Sequence, residues 1–157
     1  MRRSSNQTLA ISSIVALSMA IASCGESRVS QCQRLIAVAS NAVTQVEAVI
    51  GDGQLTSTGP ALTEQATAKL TSVAEAQEQA LSEMQALELP DQQLQGFQQR
   101  FVSLYSDVSR ASRDLVAAAQ ERDPQAVEQA NNAFQAAIAQ ETPLVNEVNT
   151  YCVGDSL

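Results

Sequence analysis

Two patterns of apolar residues divide this chain. From Leu9 to Ala22 small and apolar residues run without interruption for 14 positions, behind Arg2 and Arg3, which is the layout of an export signal. At about 1.5 Å per residue the run covers about 21 Å, short of the roughly 30 Å hydrocarbon core of a bilayer, so it reads as a signal and not as a span. Beyond Gly25 the pattern changes to steps of three and four, the period of amphipathic helices. Cys32, Ile36, Ala39, Val43, Val46 and Ile50 mark a first helix from about Arg28 to Ile50, stopped by Gly51-Asp52-Gly53 and a turn-rich loop through Thr58-Gly59-Pro60. Leu62, Ala66, Leu70, Val73, Ala80, Met84 and Leu87 mark a second, from about Ala61 to Leu89, ended by Pro90.

The third segment, from about Asp91 to Arg122, has the most regular stripe: Leu94, Phe97, Phe101, Leu104, Val108, Ala111, Leu115 and Ala118, the spacing of a packed helical seam. Asp123-Pro124 then supplies an N-cap and a first-turn proline for a fourth helix. Its apolar face, Val127, Ala130, Phe134, Ile138, Val145, Val148 and Cys152, is interrupted by Glu141 and Pro143, and the proline is expected to kink or split it near Gln140. Four helices with two very short connections predict an all-α fold, an antiparallel up-down-up-down four-helix bundle, with stacked helical hairpins as the alternative architecture. The predicted organisation is residues 1–23 as signal peptide, 24–30 as a lipidated cysteine and polar tether, and 31–153 as the bundle.

Ile21-Ala22-Ser23-Cys24 closes the apolar run. It resembles the bacterial lipobox, and that resemblance implies diacylglyceryl attachment to the Cys24 thiol, cleavage before Cys24 and acylation of the new amino terminus. The protein would then be anchored to a bacterial membrane by acyl chains, with its helices in the periplasm or an equivalent extracytoplasmic space. Two or more chains give stable anchoring where one does not.

Charge narrows the partners. The 157 residues carry 9 Lys and Arg against 17 Asp and Glu, a formal net charge of −8, and loss of Arg2 and Arg3 with the signal makes the remainder more acidic. Lys69 is the one lysine. Such a surface offers no patch for phosphate backbones, so nucleic acid is not an expected partner. The chain also has no histidine. That removes imidazole haem ligation, Glu-x-x-His di-iron sites, His-containing zinc sites and His-activated nucleophiles, and no catalytic residue, metal or cofactor is expected.

Cys32 and Cys152 lie far apart in sequence, yet an even number of antiparallel helices returns the end of the last beside the start of the first. Both cysteines are in phase with the apolar stripes, and export places them in an oxidising compartment, so a disulfide is expected. The alternative is two buried reduced thiols. Asp107, Arg110 and Asp114 read as a surface ion-pair ladder, and Glu75, Glu78 and Glu83 as a solvated face and not a cation site. Phe97 and Phe101 belong to the seam, whereas Tyr105 falls beside it, half exposed, and is the expected partner surface. The glutamines from Gln92 to Gln99 read as soluble helix surface.

These features predict a non-enzymatic, membrane-tethered lipoprotein serving as accessory, assembly or scaffold subunit of a larger complex through a protein partner. The glutamine- and alanine-rich style, with lipobox, helices and acidic charge, is similar in outline to small cyanobacterial lipoproteins such as the Q-type extrinsic subunits of photosystem II, which implies an envelope or photosynthetic membrane complex. The alternative is a carrier or sensor with an apolar small molecule between the helices, for which alanine-rich stripes beside Phe97, Phe101 and Phe134 leave room.

Overall fold

The computed structural model describes residues 26–51 and 63–154. The expected signal peptide, Cys24, most of the loop after Gly51 and the residues Ala61 and Leu62 lie outside the described residues. What is described is all-α: α1 (Arg28–Ile50), α2 (Glu64–Gln85), α3 (Gln92–Glu121), α4 (Pro124–Ile138) and α5 (Glu141–Val153).

Local chemistry sets the helix starts. Ser27, Thr63, Asp91 and Asp123 are N-caps, each with a side-chain oxygen accepting from a backbone N–H two or three residues on. Thr63 explains why α2 begins three residues after the position expected from its stripe. Pro124 occupies the first position of α4, where its missing N–H costs nothing. At the other end of α1, Gly51 takes φ 61°, the left-handed region that a side chain would disfavour.

α2 ends at Gln85, earlier than its apolar pattern suggests, because the connection to α3 has its own partners. The Gln98 amide donates to the Met84 and Leu87 carbonyls (2.7 and 2.9 Å), Gln95 donates to that of Leu89 (2.6 Å), and Arg34 to that of Glu88 (2.7 Å). Two glutamines of the run expected on open surface thus hold the end of α2 and the connection that follows it. The predicted fourth helix is split: α4 stops at Ile138, two turn residues follow, and α5 restarts at Glu141 with Pro143 in its first turn. Pro143 has no N–H to return to the Ala139 carbonyl, so the ladder breaks there.

Cross-helix contacts fix the directions. Lys69, near the start of α2, donates to the Ile50 carbonyl at the end of α1 (2.8 Å), while Arg34 near the start of α1 reaches the far end of α2. Glu78 on α2 meets Arg113 on α3 (2.7 Å), and Arg100 of α3 meets Glu147 of α5. α2 therefore runs antiparallel to α1 and to α3, α5 runs antiparallel to α3, and the start of α1, the α2–α3 connection and the end of α5 gather at one end. α3 is central and touches α1, α2, α4 and α5, whereas α1 and α4 do not pack against each other.

That central position accounts for the core. All eight residues of the α3 stripe are buried, with Leu35, Val73, Met84, Phe134, Leu144 and Val148 around them. A smaller cluster of Leu70, Leu115 and Ala130 closes the opposite end. The first helix departs from expectation: Leu35 and Ala42 are its most buried apolar residues, while Val43 of the expected stripe is exposed. Tyr105, expected half exposed, is only 3% exposed. A helix with neighbours on several sides buries a wider arc than a two-position seam, and Ser109 and Ser112 are buried on α3 for the same reason.

Candidate binding site

Cys32 and Cys152 are joined, their α carbons 5.9 Å apart and 120 residues apart in sequence. Around them the polar groups are paired, apart from the buried Arg34 Nε, which has no hydrogen-bond partner. Gln31, 3% exposed, donates from Nε2 to the Glu26 carbonyl (3.0 Å) and accepts at Oε1 from the Asp91 N–H (2.9 Å). Asp91 caps α3 with one carboxylate oxygen and accepts from the Tyr151 hydroxyl with the other (2.8 Å). These bonds to the ionised form, led by the Leu94 N–H, hold the Asp91 carboxyl below its usual range. Tyr151 packs edge-on against Phe97 (5.8 Å between ring centres) and lies under the Arg28 guanidinium. This end is a staple.

The unclosed side between α1 and α4 is different. There a cleft of about 610 Å³ is walled by Val43, Val46 and Ile50 of α1, Val73 of α2, Leu104 and Val108 of α3, and Phe134 and Ile138 of α4. Val43 and Ile138, 38% and 37% exposed, stand among these walls as two of the larger apolar side chains left open to water. Polar groups enter from each side: Glu47 on α1, Gln77 on α2, Tyr105 on α3, Gln135 on α4 and Glu141 on α5. A second hollow of about 280 Å³ between α1 and α5, lined by Ile36, Phe101, Val145 and Val148, shares Val43 and Glu141 with the first. Val43 and Glu141 thus stand in the walls of both hollows.

The electrostatics of the cleft are those of a partly buried, acidic slot. Burial raises the Glu141 carboxyl above its usual range. Burial, and next the Glu141 charge, push the Tyr105 hydroxyl well above the usual phenol range, so it stays protonated. Gln77 is 8% exposed and its Oε1 has no hydrogen-bond partner. Neither lysine nor arginine lines the cleft.

Tyr105 is therefore an interior wall of the cleft, buried where half exposure was expected. Glu141 entered the sequence reading only as an interruption of an apolar face, which was the available signal for it. Gln77 and Glu47 carried none, since a glutamine or glutamate on an amphipathic helix is ordinary. The other clusters are surface features. Asp107 pairs with Arg110, Glu78 with Arg113, and Glu83 accepts from Gln79 (2.9 Å). No group of three or more metal-ligating side chains occurs among the described residues, and no helix among them is long and apolar enough to cross a membrane. Comparison with known families, characterised proteins and solved structures gives no match.

Proposed function

We propose that this is an exported, lipid-tethered and non-enzymatic binding protein: acyl chains on Cys24 hold it at a bacterial membrane, and its helices carry or sense an apolar small molecule. The observation that supports this reading is the cleft of about 610 Å³ between α1 and α4. Its size lies within the range of about 300–1,000 Å³ for small-molecule pockets, and it joins apolar walls to a few inward polar groups, as such pockets do. A fully closed core would have argued against a carrier. The other reading is an accessory or scaffold subunit of an envelope or photosynthetic complex, with a protein partner docked near Tyr105; the burial of that side chain gives it less support than the cleft gives the carrier.

Two measurements test the proposal. Nile red, a neutral polarity-sensitive dye, should bind the exported chain saturably at one site, and Val43→Trp with Ile138→Trp should block it by filling the mouth. A non-saturable signal, or one unaffected by the two tryptophans, would refute the carrier. Separately, Cys24→Ala should accumulate as an uncleaved precursor without acyl chains; normal processing and membrane retention of that variant would refute the anchor.

A further inference from the structure

We infer that the stapled end of the domain lies against the membrane that holds the acyl chains, with Val29 and Val153 entering the bilayer surface and the cleft held above it in water. This deepens the anchoring half of the reading above and rests on it. The first observation is the length of the tether. Glu26 is folded back onto α1: its carboxylate accepts from the Ser30 hydroxyl (2.8 Å) and pairs with Arg34, and its carbonyl accepts from the Gln31 amide (3.0 Å). Gly25 alone separates it from Cys24. Two links of chain span at most about 7 Å, so a lipidated Cys24 keeps the start of α1 at the headgroups.

The second observation decides how the domain stands on that point. Four large apolar side chains are exposed among the described residues, and two of them, Val43 and Ile138, belong to the cleft. The other two are the most exposed, Val29 at 55% and Val153 at 67%. Val29 lies one turn before Cys32 on α1 and Val153 next to Cys152 on α5, so the disulfide brings them to the tethered end from two helices. Apolar groups held there lose less free energy to water by entering the interface than by staying out of it. The flanks instead carry exposed ion pairs, Arg100 with Glu147 and Arg113 with Glu78, which stay hydrated, so the domain stands on its end and not on its side. Val43 lies fifteen residues beyond Arg28 on α1, about 22 Å along the axis. That clears a headgroup layer of about 5–8 Å, and the cleft opens to water.

The experiment uses the lipidated chain reconstituted in vesicles of phosphatidylcholine brominated near the headgroup end of its acyl chains, where bromine quenches tryptophan on contact. The chain has no tryptophan, so Val29→Trp, Val153→Trp and Ile138→Trp each report one place. All three positions are open to water, and cooperative thermal unfolding checks that each variant is folded. Val29→Trp and Val153→Trp should lose most of their emission relative to unbrominated vesicles, and Ile138→Trp should keep its own. If the Val29 and Val153 variants float with the vesicles and are not quenched, whether water, a second copy or another protein covers those positions, the orientation is overturned and the anchor stands. Equal quenching of Ile138→Trp overturns it as well, since the domain then lies on its side. A chain that does not float with the vesicles overturns the anchor itself, and the orientation with it.

Discussion

Gln31 and Gln77 are both buried side-chain amides, on α1 and α2, and they have opposite fates. Gln31 sits at the disulfide end with its Nε2 on the Glu26 carbonyl and its Oε1 on the Asp91 N–H. Gln77 stands in the wall of the cleft with its oxygen buried and unpaired. A satisfied buried amide holds elements in register, while an unsatisfied one destabilises the domain unless something else brings a donor. The same contrast runs through the two regions. One end is closed by a covalent bond, an aromatic pair and a capped α3; the cleft keeps valine and isoleucine open to water beside a half-buried carboxyl. Stability is concentrated at the staple and the proposed binding capacity at the cleft.

The largest effect that bears on this division is loss of the disulfide. Closing a loop of 120 residues restrains the unfolded chain, and Cys152→Ser should lower stability by about 2–5 kcal/mol in denaturant unfolding. Dye binding at the cleft should persist under native conditions. If the variant instead loses the cleft while still folded, the two regions are one unit and the contrast fails.

Truncation of apolar side chains should sharpen the contrast. Leu35 is 0% exposed and packs among the residues at the stapled end, so Leu35→Ala should cost about 3 kcal/mol through lost transfer and a new cavity. Ile138, 37% exposed at the cleft, should cost less than about 1 kcal/mol when cut to alanine. Equal losses in thermal unfolding would mean that the cleft is as tightly packed as the core.

How far these regions were legible follows from their residues. The α3 stripe could be read because polar residues such as Gln98, Ser106 and Arg113 separate its apolar positions. α1 could not be phased, because Leu35, Ile36, Ala37, Val38 and Ala39 are apolar on every face and the choice between Ala42 and Val43 depends on which helices arrive beside it. The disulfide followed from topology and phase. The cleft did not follow, because it exists where α1 and α4 fail to meet, a relation between distant segments that neither periodicity carries. Tyr105 was misplaced for a related reason: its burial comes from neighbours on several sides of α3.

A smaller effect tests the two glutamines directly. Gln31→Leu strands the Asp91 N–H beside the cap of α3 and should destabilise by about 1–3 kcal/mol. Gln77→Leu removes an oxygen that has no partner and should be neutral or stabilising, since an apolar group of similar shape replaces an unsatisfied one. A comparable loss in both variants would show that Gln77 has a partner after all and would weaken the case for the cleft.

The smallest expected effect separates the regions by the sign of their pH dependence. The Asp91 carboxyl is lowered from its usual 3.8 by the Leu94 N–H and the Tyr151 hydroxyl. Its stabilising contribution is present above that value and is lost as pH falls through the folded-state pKa. Glu141 is raised from 4.5 by burial, so the folded state holds that proton more tightly than the unfolded state does. Its contribution therefore has the opposite sign: stability is greatest with the carboxyl protonated and declines as pH rises from 4.5 through the raised value. Lowering pH from about 7 to about 5 should raise the midpoint of thermal unfolding, and going below about 4 should depress it. Because the chain has no histidine, few other groups titrate in the upper window, and the rise is attributable to a carboxyl out of its usual range. Glu141→Gln should flatten that rise without changing the fall, and Asp91→Asn should reduce the fall without changing the rise. A rise that survives in Glu141→Gln would place the strained carboxyl elsewhere and remove the electrostatic half of the contrast between staple and cleft.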